Sequence, residues 1–275
     1  MHGTLTKRPR SQVQKITVTP EMATKLLEGN GRNRPLSDGH MKRLANQIRA
    51  GKWRFNGDAI KIASTGDVLD GQHRLWAVIE ANTPIETLIV YDIEPEAFAT
   101  IDTLRKPRSG GDVIALAGQA RYRTAIAGAL AWLIRWQRGI EAFRDPKNRV
   151  ENSDIEEAFR AHPAIVQAID RAMRVRSVVN PSIIGFLYYV TANRKSDLAE
   201  RMMDTLEDPA GIGVNDPFFK FRSWCLGERV VRKAPLMTIA LAVKAINAAT
   251  KGERIQKLCW RNSGRSPEPF PKLEA

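Results

Sequence analysis

The chain has 275 residues, 43% of them hydrophobic, and its 43 Lys plus Arg outnumber 30 Asp plus Glu to give a formal net charge of +13. That is one large domain or two ordinary ones with ample material for a core, which excludes wholesale disorder. A field of that sign gathers polyanions, so nucleotides or nucleic acid, DNA in particular, are the expected partners.

Residues 1–15, with Lys7, Arg8, Pro9, Arg10 and Lys15, predict a basic flexible arm. Ile16-Thr17-Val18 reads as strand and Pro20 through Leu27 as a short helix, before Gly29-Asn30-Gly31 breaks the chain. Ser37 is a candidate N-cap, and Met41, Leu44, Ala45 and Ile48 follow at helical spacing until Gly51 closes the helix. Ala59 to Ala63 alternates like a half-buried strand, Ser64 to Asp67 turns, and Val68-Leu69 begins a return strand. Asp70-Gly71 hands over to a helix with Leu75, Trp76, Val78 and Ile79, and Leu88 through Tyr91 suits a strand covered on both faces.

Beyond Gly110 the signal is helical. Ile126, Leu130, Leu133 and Ile134 form one stripe, and Ser153 is the expected cap of a helix holding Ile155, Ala158 and Phe159. Further helices are predicted over 165–173, 183–191, 198–206 and 236–248, with a loop over 208–217 and a basic tail after Gly252. The expected architecture is α+β: a small mixed sheet with helices over 16–109, followed by an all-α domain over 110–275 that ends in the basic tail. No run approaches the ~18 apolar residues of a membrane span, and no signal-peptide core opens the chain, so a cytoplasmic protein without membrane contact is expected. Cys225 and Cys259 form no C-x-x-C pair and read as small core residues. Trp132, Trp136, Trp224 and Trp260 read as core as well.

Several chemistries are excluded by their motifs. There is no G-x-x-x-x-G-K-[ST] sequence, Arg34 stands where a dinucleotide fingerprint needs its third glycine, and the four histidines lack zinc-site spacing. What remains is Leu69-Asp70-Gly71-Gln72-His73-Arg74-Leu75, read as a turn between strand and helix. A helix start exposes amides carrying partial positive charge, a cradle for phosphate. Gly71 lets the backbone come close, the amides of Gln72, His73 and Arg74 face the anion, Arg74 adds a fork, and His73 adds a donor. Asp70 caps the helix, binds a metal ion, or both. The plainer alternative is an Asp-Gly turn whose carboxylate only caps a helix.

Gly71-Gln72-His73-Arg74 in this setting resembles the signature turn of the ParB/sulfiredoxin fold, and Asp-Gly-Gln-His-Arg is similar to a branch found in DNA-modification and phage-type proteins. Arg34-Pro35-Leu36-Ser37 resembles the sulfiredoxin segment that contacts ATP. The resemblance covers residues 16–110. It implies binding of ATP or CTP with magnesium, held by Gly71, His73 and Arg74 with Arg34 and Ser37 on the opposite side. Gln72 stands where sulfiredoxin has its cysteine, so sulfinic acid reduction is excluded. Asp70, Gln72 and His73 are the candidate catalytic residues, with Gln72 suited to orienting a water for γ-phosphate attack and Asp70 as the magnesium ligand.

Arg105 and Arg108, before Gly110-Gly111, are either a second phosphate contact or a basic linker. Residues 152–169 are either a helix-turn-helix about Ala161-His162-Pro163 or two packed helices joined by a proline turn. Three functions are compatible with these residues. The first is an NTP-binding protein, and possible NTPase, whose nucleotide controls DNA association; the second is a phosphotransferase acting on a small molecule or modified base. The third is a magnesium-dependent nuclease drawing on Asp58, Asp67, Asp70, Asp102 and Asp112.

Overall fold

The computed structural model describes residues 12–28, 35–101, 108–139, 149–227, 234–264 and 266–274, except for the side chains of 99 and 100. The chain divides into two compact units, Met1–Lys106 and Pro107–Ala275.

The first unit is a four-stranded mixed sheet with helices. Its elements are β1 (Gln12–Val18), α1 (Pro20–Glu28), α2 (Asp38–Arg49), β2 (Ala59–Ala63), β3 (Val68–Asp70), α3 (Gln72–Ala81) and β4 (Ile85–Ile93), then a 3₁₀ turn over Pro95–Thr100. The spatial order is β1-β4-β2-β3. β2 and β3 form an antiparallel hairpin, and α3 is the crossover that lets β4 return parallel to β2, while β1 pairs antiparallel with β4. Met41, Ala45 and Ile48 of α2 and Leu75, Ala77 and Val78 of α3 close over Ile60, Ile62, Ile85 and Ile89 of the sheet. This burial of one apolar face per helix is what holds the starts of α2 and α3 in place.

Three expectations are corrected here. β1 starts at Gln12, so residues 12–15 belong to an edge strand with Lys15 paired to Glu86 at 3.2 Å; residues 1–11 of the predicted arm lie outside the described residues. The side chains of Gln12–Lys15 are exposed, which removes the apolar alternation that marks a strand, while Val18 is buried and Ile16 half-buried at the strand's inner end. β4 buries Ile85, Thr87 and Ile89 on one face and only half covers Leu88 and Val90 on the other. Trp76 is 37% exposed, because α3 turns it away from the sheet.

The second unit is all-helical: α4 (Gly110–Leu116), α5 (Arg123–Arg138), α6 (Asn152–Ala161), α7 (Ile165–Met173), α8 (Pro181–Ala192), α9 (Ser196–Glu207), α10 (Pro217–Leu226) and α11 (Pro235–Thr250). α11 is buried on every side but that of Lys244 and Asn247, as the otherwise apolar and small residues of Thr238–Ala249 require. α6 starts at Asn152 with Glu151 as N-cap, so Ser153 lies inside the helix. The 162–164 turn joins α6 to α7, and both helices pack on α5. α10 begins where only a loop was expected. Its start is built by the Asp216 carboxylate, which accepts the amides of Phe218 and Phe219, with Pro217 at the first helical position.

The segment after Gly252 is fastened to the helices. Trp260 is buried and donates to the Pro269 carbonyl at 3.1 Å, Asn247 donates to the Lys272 carbonyl at 2.7 Å, and Arg194 donates to the Leu273 carbonyl at 3.0 Å. Trp132, Trp136 and Trp224 pack against the core, Cys225 is half-buried, and Cys259 is exposed rather than a core residue. Among the described residues, no helix is long and apolar enough to cross a membrane.

Candidate anion site at the heads of two helices

The turn between β3 and α3 forms where the sequence places it. Gly71 is the N-cap of α3 and adopts φ +100°, a left-handed conformation that disfavours any residue with a Cβ. A Cβ there would stand 2.9 Å from Ile60 Cγ1 and 3.3 Å from Ile60 Cα. The vacancy at Gly71 is therefore filled by β2, and the glycine serves the fold before it serves a ligand.

That packing revises several assigned roles. Gly71 is buried, Gln72 is 5% exposed and His73 is 8% exposed. The Arg74 amide donates to the Gly71 carbonyl at 3.0 Å, so it does not face an anion. Asp70 makes no cap, because the cap position belongs to Gly71 and no side chain caps α3. Its carboxylate instead lies 3.2 Å from Lys61 Nζ and 3.7 Å from Arg74 Nη2. Two cations on one carboxylate oxygen neutralise the charge that a metal ion would draw on.

Arg74 is held by the same packing. Its Nη2 donates to the Ala59 carbonyl at 2.8 Å, its side chain is 15% exposed, and its Nη1 is buried with no acceptor among the described residues. A buried N–H without a partner costs about 1–3 kcal/mol, so this atom asks for an acceptor.

The expected approach of the Ser37 segment to the turn is present. The Ser37 backbone N–H, at the N-cap of α2, donates to His73 Nε2, in the first turn of α3, at 3.0 Å. A backbone amide can only donate, so Nε2 accepts, and the remaining donor of a neutral His73 ring is Nδ1–H. The Ser37 hydroxyl makes no cap, and its carbonyl receives the amides of His40 and Met41 at 3.0 Å. The two helix starts thus meet through this hydrogen bond, each bringing the positive end of its dipole.

Two residues with no place in the sequence-level site join them. The His40 ring meets the His73 ring edge-on at 5.0 Å between centroids, and Arg43 Nη2 lies 2.9 Å from His40 Nδ1. Ser37, Gly39 and His40 are exposed, and space is open at Gly39 where a Cβ would point. Asp38, the acidic group in that first turn, is taken by Lys42 at 2.7 Å. The signal for His40 and Arg43 was their i, i+3 spacing on the polar side of α2, but their importance depends on His73, which the fold brings from a distant part of the chain.

Arg34 and Arg105 lie outside the described residues. Arg108 belongs to the second unit, where its carbonyl accepts from Asn152 Nδ2 at 2.8 Å ahead of α4. Of the candidate nuclease carboxylates, Asp112 closes the capping box of α4 with Ser109, Asp67 accepts the Thr65 hydroxyl at 2.7 Å, and Asp102 lies outside the described residues. Among the described residues, no three metal-ligating side chains gather at one place. No family model, curated protein or solved structure matches this chain.

Proposed function

We propose that the first unit binds the phosphates of a nucleoside triphosphate, ATP or CTP, where the heads of α2 and α3 meet, and that occupancy of this site controls the association of the basic protein with DNA in the cytoplasm. The observation that carries the reading is the Ser37 N–H to His73 Nε2 bond, because it joins two helix N-termini at an exposed rim bearing His40 and Arg43. Two dipole ends and a guanidinium form a positive concentration that one polyphosphate can neutralise. The unpartnered Nη1 of Arg74, one residue beyond His73, adds a buried donor in want of an acceptor. The resemblance of Asp70-Gly71-Gln72-His73-Arg74 to the ParB/sulfiredoxin turn supports the same ligand class. Magnesium would arrive on the phosphates, since Asp70 is engaged by Lys61 and Arg74.

The residues sort by what they can do. Ser37, His40 and Arg43 stand at the rim and bind; Gly71 and Asp70 shape and hold the turn. His73 positions Ser37, and Gln72 is too well covered in this conformation to orient a water at a phosphate.

A thermal-shift panel of ATP, CTP and GTP with magnesium tests this. A triphosphate at a hundred times its Kd stabilises the native protein by about 2.7 kcal/mol. His40→Ala combined with Arg43→Ala should weaken that nucleotide by about tenfold or more while leaving the unliganded Tm in place. A wild-type Tm unmoved by every triphosphate would falsify the reading.

A further inference from the structure

Two clefts of the second unit meet around the end of α11. One, of about 360 Å³, is lined by Lys244, Lys251, Lys257 and Lys272; the other, of about 380 Å³, is lined by Arg201 and Arg254. Glu253 borders both, so the basic side chains of the two belong to one continuous stretch of surface. Arg201 pairs with Asp216, Lys244 with Glu268 at 2.9 Å and Lys251 with Glu274 at 2.8 Å. Arg254, Lys257 and Lys272 are exposed, and among the described residues no carboxylate pairs with their side chains.

We infer that this double cleft is a docking track for the sugar-phosphate backbone of a nucleic acid. It deepens the DNA-association half of the proposed function and does not depend on the nucleotide site. Lysine is a compact point charge on a flexible stem, which suits phosphate oxygens and places little demand on geometry. Among the described residues, neither cleft is lined by Phe, Trp or Tyr, so nothing in them offers a face on which a base or nucleoside can stack. Recognition there rests on phosphates alone, and is therefore independent of sequence. The paired lysines do not block it, because exposed ion pairs are worth about 0–1 kcal/mol and exchange readily for a phosphate. The ties of Asn247 and Arg194 to the Lys272 and Leu273 carbonyls hold the outer wall of the cleft before any ligand arrives.

The experiment uses the full chain and a short DNA duplex of mixed sequence. Arg254→Glu, Lys257→Glu and Lys272→Glu are combined in one variant, and Arg123→Glu, Arg149→Glu and Arg176→Glu in another with the same change of charge. All six positions are exposed, so circular dichroism should show both folded. The cleft variant should bind at low salt about tenfold more weakly than the matched variant, and its plot of log K against log salt should be flatter by roughly two to three. Cys259, an exposed thiol lining the lysine cleft, supplies a second readout. Duplex should slow its alkylation in the wild type, followed at the peptide level to separate it from Cys225. Equal losses in the two variants, or Cys259 alkylation indifferent to DNA, overturns the track. Wild-type protein that binds no DNA at any salt overturns the track and the DNA half of the proposed function together, while nucleotide binding is judged separately by the thermal shift.

Discussion

Arg74 of the first unit and Arg171 of the second are both largely covered, and they are provided for very differently. Arg171 of α7, 13% exposed, meets three carboxylates of α9: Glu200 at 3.1 Å, Glu207 at 2.8 Å, and Asp204. Arg74 of α3, 15% exposed, has the Ala59 carbonyl at 2.8 Å, a single carboxylate at 3.7 Å, and one nitrogen with no acceptor among the described residues. Covering a guanidinium costs several kcal/mol unless its donors are met. Arg171 is met by the fold, and its role is to lock α7 to α9. Arg74 is met only in part, and the shortfall lies beside the two helix starts. The difference separates a cation whose donors the fold satisfies from one left with a buried donor unmet among the described residues.

The contrast can be broken first at Gly71. Gly71→Ala should lower the stability of the first unit by about 3 kcal/mol, combining left-handed strain with overpacking against Ile60. Gly39→Ala, with open space around it and a helical setting, should be neutral or stabilise by up to about 1 kcal/mol. Urea unfolding of the two variants decides, and similar stabilities would mean that Gly71 is not pressed against β2.

Arg171→Ala comes next, at about 2 kcal/mol. This is less than the ~3–5 kcal/mol of a fully buried pair, since its carboxylates are partly in water. The variant also sharpens the contrast through pH. The Tyr188 hydroxyl, followed by Arg171, holds the Glu200 carboxyl below its ordinary 4.5. A depressed folded value stabilises above the unfolded one and is lost as pH falls through the folded value. Wild-type Tm should therefore drop between about pH 5 and pH 3, and Arg171→Ala should flatten that drop. Arg74→Lys keeps the charge but loses the fork. It should cost about 1 kcal/mol in stability and weaken nucleotide by about tenfold, a pairing that has no counterpart at Arg171.

The smallest effect belongs to Tyr188. Burial, then its hydrogen bond to Glu200, pushes the phenol up to about 12. The raised value stabilises below the ordinary tyrosine pKa of about 10 and is lost as pH rises through about 12. Absorbance titration should show one late tyrosine, and Glu200→Gln should bring it only part of the way back, because burial remains.

The sequence was legible wherever one periodic face meets one core. Met41, Ala45 and Ile48 announced α2, and Ile165 through Met173 announced α7 to the residue. It misled at Gln12–Lys15, whose charged and polar side chains read as a flexible arm although the backbone pairs with β4 and Lys15 reaches Glu86, and at α10, where Pro217 suggested a break although Asp216 before it is a cap. The Asp70-Gly71 turn was visible, yet the partner of its glycine was not, because Ile60 arrives through the strand pairing of β2 and β3. For the same reason Asp70 read as a cap or metal ligand, when its neighbours Lys61 and Arg74 make it a counter-ion. His40 and Arg43 were lost among ordinary polar residues, because His73, whose ring meets His40 edge-on at 5.0 Å, is brought there from a distant part of the chain.

Hydrogen–deuterium exchange of the full chain, with and without saturating ATP or CTP and magnesium, addresses the meeting of α2 and α3 most directly. Slowed exchange is expected in peptides spanning 35–45 and 71–76, with the first turn of α2 protected most. Nucleotide that binds while leaving both stretches unchanged would contradict the assignment of the phosphate site to these helix starts.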